Sequence, residues 1–374
     1  MRIVIDISQA QYVGTGVARY MNELIPHIID KARPNDAITL FYNSRHVAYP
    51  ELGLAKKLAQ QKKGQYRVIT SRIPEKIMHV LWNRLHIVPI ELWVGKHDVF
   101  FYSDWFTPPT KARRFSTVHD LVFRRYPEAV DRYVRSTQEK RLQYLAHSIP
   151  PTTLFVDSQA TQKDVVEYYG VDAARVPVVY PGIAVRHQSS SMISNVLRMY
   201  QLEQGKYCLA VGKREPRKNL DRLVDAFSQC KHRNYTLVIV GPQGWQKNDA
   251  ARPSFVKQMG FVDDDMLYAL YQGAACFVMP SLYEGFGFPL GEALALGCPS
   301  LASRTSSLLE IGGAAVEYCD PLDISSITKG LDVLMGEGSN VRRKRIEAGK
   351  KQTASFTWER AADKILNYFH EQQA

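Results

Sequence analysis

The chain has 374 residues, of which 45% are apolar and 23% charged, and carries a formal net charge of +11. This composition excludes a disordered or low-complexity protein, and the length suits two domains of ordinary size. No apolar run approaches the roughly 18–20 residues of a spanning helix, and five cysteines without close spacing point to reduced, structural thiols in a cytoplasmic protein.

The chain opens on Met1-Arg2-Ile3-Val4-Ile5-Asp6-Ile7, which reads as a first strand rather than a signal peptide. Further strands are expected at 37–42, 66–70, 99–102, 116–118, 153–156 and 176–179, with helices at 17–30, 132–146 and 159–169. Alternating β and α elements argue for a parallel sheet covered on both faces. The loop after the first strand holds Gly14 and Gly16 just before a helix. Two glycines let a backbone approach a ligand, and a helix start favours an anion. The third glycine of the dinucleotide fingerprint is missing. The stretch 72–85 reads as a helix with Ile77, Met78, Leu81, Trp82 and Leu85 on one side. It faces the core or lies on an anionic membrane surface. His119 and Asp120 follow the strand at 116–118. A histidine there can exchange a proton or contact a sugar hydroxyl, and Asp120 orients it or caps the next turn.

The segment 183–205, with its Ser189-Ser190-Ser191 run, reads as a linker, with a boundary near 183–200. We place an N-terminal domain at 1–185 and a second at 186–356. In the second half, strands are expected at 207–212, 235–240 and 276–279, and helices at 219–230, 263–273, 289–296, 305–311 and 323–335. The first strand-to-helix junction carries Lys213, Arg214, Arg217 and Lys218, which suits a diphosphate. Asp263-Asp264-Asp265 resembles a metal site, but aspartates also cap and open helices, and we read them as a cap. After the strand at 276–279 comes Glu284-Gly285-Phe286-Gly287-Phe288-Pro289-Leu290-Gly291-Glu292. The glycines separate the two carboxylates, placing Glu284 in a loop and Glu292 in the first turn of a helix. The last segment, 357–369, is amphipathic, with Trp358, Ala361, Ala362, Ile365, Leu366 and Phe369 on one side.

The excess positive charge lies in the first half, where residues 1–180 hold 25 Lys and Arg against 17 Asp and Glu. Such a surface favours anionic partners, although scattered solvated charge would account for it too.

Taken together, the motifs resemble glycosyltransferase family 4, retaining enzymes of the GT-B fold. The likeness rests on the 284–292 stretch, similar to the family's E-x7-E motif. It also rests on Gly14-Thr15-Gly16-Val17-Ala18-Arg19-Tyr20, Val118-His119-Asp120-Leu121, Val179-Tyr180-Pro181-Gly182-Ile183, Glu215-Pro216-Arg217-Lys218-Asn219 and Ser306-Ser307-Leu308-Leu309-Glu310. It implies an α/β chain of two doubly wound Rossmann-like domains with an interdomain cleft, and a terminal helix (357–374) returning to the first domain. It further implies that Glu284 binds the donor sugar with the backbone of Gly285, Phe286 and Gly287, and that Glu292 binds the nucleotide ribose. Lys218, with Lys213 or Arg217, would hold the diphosphate, Gly14 and Gly16 would approach the donor, and His119 would face the reaction centre. The family pattern often has Arg where Lys213 stands, which leaves the division of work between Lys213 and Arg217 open. No metal or other cofactor is implied.

The expected activity is transfer of a hexose, mannose from GDP-mannose, to a growing, lipid-linked glycan of the bacterial polysaccharide or O-antigen type. The expected location is cytoplasmic, with peripheral contact to an anionic membrane. A GT-B nucleotide-sugar epimerase and a non-catalytic sugar-nucleotide binder stay open as alternatives. Nothing in the chain resembles an aromatic–basic platform for nucleic acid.

Overall fold

The computed structural model describes residues 1–61, 65–102, 104–232, 234–242 and 253–371. The chain divides into two compact units, Met1–Gly182 with Phe356–Ala374, and Ile183–Ser355.

The first unit is built on strands β1 (Arg2–Asp6), β2 (Ala37–Asn43), β3 (Tyr66–Ser71), β4 (Val99–Tyr102), β5 (Arg113–Val118) and β6 (Thr153–Val156). All pair in parallel, in the order β3-β2-β1-β4-β5-β6. The two central strands, β1 and β4, are short, largely apolar runs that are almost wholly buried, as a parallel sheet between helices demands. The expected strand at 176–179 is reduced to a single bridge between Val156 and Val178. The terminal helix Trp358–Glu371 belongs to this unit. Its six expected apolar residues are all buried, and it packs on the helix Gly16–Lys31. Lys31 reaches Asp363 (3.0 Å), and Arg113 donates to the Phe369 carbonyl (2.6 Å). Each large apolar side chain buried in this way contributes about 1.5–3 kcal/mol.

The stretch 72–85 departs from the expected single helix. It runs as a short α-helix, Glu75–Met78, followed by a π-helical turn, His79–Arg84. The wider turn changes the period of the apolar face. Met78 and Trp82 are fully buried and Leu81 half-buried, whereas Ile77 and Leu85 are exposed. No described helix is long and apolar enough to cross a membrane.

The second unit carries β7 (Tyr207–Val211), β8 (Thr236–Val240), β9 (Val256–Met259), β10 (Cys276–Met279), β11 (Ser300–Ser303) and β12 (Glu317–Cys319), again all parallel, in the order β12-β11-β10-β7-β8-β9. Renumbered within the unit, this is the order of the first sheet, the doubly wound Rossmann arrangement. The expected linker is partly a helix, Ser190–Met199. Ser189 caps it by accepting the Met192 N–H (3.2 Å), while Ile193, Val196 and Leu197 are buried. The serine run reads as loop composition, yet its first member is an N-cap and the apolar residues behind it have helical spacing. All five cysteines are buried and free, and the Cys276 thiol lies 3.2 Å from the Cys208 sulfur on the neighbouring strand.

Candidate active site

In an open parallel sheet, ligands bind beyond the carboxyl ends of the strands where the strand order reverses. In the second unit that point lies between β7 and β10. The loop leaving β7 carries the basic residues, and the loop leaving β10 carries Glu284.

Asn219 ties these loops together. It adopts a left-handed backbone (φ 58°), and its side-chain amide donates to the carbonyls of Pro280 (3.0 Å) and Pro321 (2.7 Å). Leu282 N–H bonds the Arg217 carbonyl (2.7 Å). The short 3-10 turn Pro216–Lys218 is thereby pressed against the glycine loop. Lys218 Nζ meets Glu284 Oε1 and Arg217 Nη1 meets Glu284 Oε2, both at 2.7 Å. Burial would push the Glu284 carboxyl up, but the charges of Arg217 and Lys218 outweigh it and hold the group at about 2. Burial depresses the Lys218 ammonium, and Glu284 opposes that fall. Arg217 also touches Glu215 (3.1 Å), whereas Lys213, more exposed, faces Glu215 at 3.7 Å. Of the two residues left open by sequence, Arg217 is the one on Glu284.

The glycine loop is braced from the next strand's exit. Glu284 N–H donates to Ser306 Oγ (3.0 Å), and the Ser307 hydroxyl bridges the carbonyls of Glu284 (2.9 Å) and Phe286 (2.8 Å). Gly287 has φ 102°, and a Cβ there would stand 2.8 Å from Leu308 Cδ2. The helix Phe288–Ala295 begins next, with Pro289 in its first turn. Glu292 lies one residue beyond the first turn, not within it, because the helix starts at Phe288. Its side chain is buried, and Oε2 accepts from the Tyr271 hydroxyl (3.3 Å). Asp263 caps the helix Asp264–Gly273 by accepting the Met266 N–H (2.8 Å), with Asp264 and Asp265 in its first turn.

In the first unit the loop after β1 is fixed by Asp6, which accepts from Ser8 N–H and Oγ. Gly14 has φ 85°. Gly16 begins the first long helix, capped by Thr15, whose Oγ1 accepts the Ala18 N–H (3.2 Å). His119 directly follows β5. Asp120 caps the next turn through Val122 N–H (3.0 Å). The carboxylate on the His119 ring is Asp157, which follows β6, with Nδ1 to Oδ2 at 2.7 Å. Tyr20 stands edge-on to the ring, centroids 4.7 Å apart. Burial alone would depress the imidazole. The charge of Asp157, supported by Asp104 and Asp120, overcomes this and lifts it to about 9.

Sequence reasoning missed Asp157, and it missed how Asn219, Ser306 and Ser307 hold the loops that bear Lys218 and Glu284. The available signal for Asp157 was an acid directly after the strand expected at 153–156, just as His119 follows the one at 116–118.

Residues 200–352 match the family model described as Glycosyl transferases group 1. The second unit is a glycosyltransferase group 1 domain. The whole chain is similar to O-antigen chain mannosyltransferase B of Escherichia coli, at 24% identity over 99% of each chain. A 232-residue stretch is 29% identical to the serotype-specific mannosyltransferase WbdA of E. coli, covering 58% of this chain and 28% of that protein. Among solved structures, Anabaena HepE in complex with UDP and glucose superposes with a TM-score of 0.71 at 16% identity, covering 99% of this chain and 100% of that one. WaaG, a glycosyltransferase involved in lipopolysaccharide biosynthesis, gives 0.64 at 14% identity, covering 99% and 100%. The fold is that of the GT-B glycosyltransferases, with two Rossmann-like domains.

Proposed function

We propose that this glycosyltransferase moves a mannosyl residue from GDP-mannose to a growing, lipid-linked glycan of the O-antigen or polysaccharide type, with retention at the anomeric carbon. The observation that carries the reading is the Lys218–Glu284–Arg217 cluster at the switch point of the second unit. A buried carboxylate braced by two cations offers acceptors to sugar hydroxyls and N–H donors to phosphate oxygens in one place. The similarity to O-antigen and serotype-specific mannosyltransferases supports the sugar and the pathway class.

As the C1–O bond of the donor breaks, negative charge develops on the departing diphosphate. Lys218 and Arg217, fixed before the reaction, stabilise that charge with little reorganisation. Glu284, with the backbone of Gly285, Phe286 and Gly287, takes the hydroxyls of the transferred sugar, and Glu292 takes the ribose. Lys213 adds surface charge near the phosphates. Gly14, Gly16 and His119 of the first unit act on the donor, with Asp120 shaping the acceptor-side loop. A carboxylate with each oxygen bonded to a cation is a poor nucleophile, which favours same-face attack over a covalent glycosyl-enzyme. The leaving phosphate then takes the acceptor's proton. No step needs a metal, since the side-chain cations meet the diphosphate. The basic first half and the exposed Ile77 and Leu85 support peripheral contact with an anionic membrane on its cytoplasmic face.

The test is a panel of nucleotide sugars, GDP-mannose and UDP-glucose included, with and without lipid-linked oligosaccharide acceptors, in EDTA. Acceptor-dependent GDP release with an α-linked mannosyl product is expected. Nucleotide release from no donor would overturn the transferase reading in favour of a sugar-nucleotide binder. Isomerisation of the donor without acceptor would favour an epimerase.

A further inference from the structure

β5 and β6 are parallel neighbours, and the residues that leave them, His119 and Asp157, meet at 2.7 Å beyond their carboxyl ends. The Asp157 side chain is 4% exposed and that of His119 15%. The second ring nitrogen, Nε2, is buried and has no hydrogen-bond partner among the described residues, and the same holds for Asp157 Oδ1. Buried polar atoms are ordinarily satisfied, so a ring anchored on one nitrogen and open on the other is built to meet something. The other ring contact is the edge of Tyr20, whose hydroxyl sits 3.3 Å from Thr117 Oγ1.

We propose that Asp157 is the positioning residue of His119: its carboxylate accepts the Nδ1 proton, fixes the ring against Tyr20, and leaves Nε2 as the one polar atom the ring offers to substrate. The inference rests on the reading of His119 as a substrate-facing group. The hydrogen bond made by one imidazole nitrogen decides what the other can do.

The charged and titratable groups around the ring come from every neighbouring element. They are Asp157 after β6, Asp104 after β4, Asp120 in the histidine's own loop, and the Tyr20 phenol on the helix Gly16–Lys31. The Arg141 guanidinium, on the helix Arg132–Ala146, is bound to Asp104 (3.2 Å), Ser116 Oγ (2.6 Å) and the Thr117 carbonyl (3.0 Å). Three carboxylates against one guanidinium favour the imidazolium. A group raised in this way is charged below about 9 and loses its proton above it. At neutral pH, Nε2 therefore carries hydrogen and donates to an oxygen of the donor, a sugar hydroxyl or a phosphate, rather than acting as a base.

The experiment uses the full-length protein labelled with 13C at histidine Cε1, followed by NMR from pH 5 to 10. His119→Gln identifies the His119 signal by its loss. In the parent that signal is expected to titrate near pH 9. In Asp157→Asn the midpoint falls by about one to three pH units, because an opposite charge within contact distance is removed. Asp157→Glu recovers part of the shift, and Asp157→Ser serves should the asparagine variant not fold. An unchanged midpoint in the Asp157 variants overturns the proposal. This measurement needs no donor, so it stands even if the transferase reading fails. In the second arm, kcat/KM for transfer from GDP-mannose is measured against pH. Its alkaline limb should move down in Asp157→Asn with the NMR midpoint, and a limb that stays put while the midpoint moves overturns the positioning role.

Discussion

Replacing Lys218 by methionine tests the centre of the proposed donor site. The substitution keeps the length and apolar stem but deletes the ammonium that lies 2.7 Å from Glu284 Oε1. Arg217 still holds Oε2. A carboxyl held at about 2 against an ordinary 4.5 corresponds to about 3 kcal/mol of charge stabilisation in the folded state. Breaking a buried pair from one side costs about 3–5 kcal/mol. The remaining arginine, and relief of the cost of burying the lysine, place the expected loss near the lower end, about 3 kcal/mol at neutral pH. The sign with pH follows from the direction of the shift. The depressed carboxyl contributes fully above its unfolded value and loses that contribution as pH falls toward about 2. The gap between parent and variant should therefore be widest near pH 7 and shrink to about half or less by pH 3. Hydrogen exchange read on peptides covering β7 and β10 isolates the second unit. Transfer itself should fall about 10²–10³-fold, the scale for removing one preorganised donor to a developing anion. Equal protection of β7 and β10 in parent and variant at pH 7, or a gap that does not narrow at pH 3, would refute the coupling of these two charges.

Gly287→Ala forces a side chain onto a backbone at φ 102° and 2.8 Å from Leu308 Cδ2. It should cost about 2 kcal/mol or more and abolish donor-dependent nucleotide release, as measured by calorimetric unfolding and by the release assay. Asp263→Ala should cost about 1 kcal/mol, the loss of a helix cap, and leave transfer in EDTA unchanged. Lost transfer that divalent metal restores would show that the aspartates hold a cation. Gly182→Ala would drive a Cβ to 2.3 Å from Trp358 N and 2.5 Å from its Cγ. It should destabilise the first unit by about 1–3 kcal/mol, and protease cleavage ahead of residue 358 would report it.

Much of this architecture was legible because it depends on local pattern. Buried strands such as Val99–Tyr102 and Cys276–Met279 are short apolar runs between turn residues, and the amphipathic helix near the end has its apolar positions at helical spacing. The two loops bearing Lys218 and Glu284 could be placed from sequence, since each joins a strand to a helix. Their meeting could not, because it depends on Asn219 holding a left-handed turn against carbonyls 61 and 102 residues away. Asp157 escaped for the same reason, standing 38 residues from the ring it orients. Short strands also escaped. Val256–Met259 is an edge strand of mixed polarity, and Ser300–Ser303 and Glu317–Cys319 are too brief to show an alternation. The π-turn at His79–Arg84 defeats any reading that assumes a period of 3.6 residues.

The first unit is assembled from both ends of the chain, with the second unit written continuously between them. On a ribosome, the second unit emerges whole and can close its own sheet at once. The first cannot. The helix Gly16–Lys31 waits for the helix Trp358–Glu371, made well over 170 residues after Gly182 has left the decoding centre. At roughly 5–20 residues per second, that is an exposure of about 10–35 s on every nascent chain. Chains that stall or are clipped before residue 356 would carry a folded second unit and an unfinished first one, a natural client for chaperones that recognise bare apolar helices.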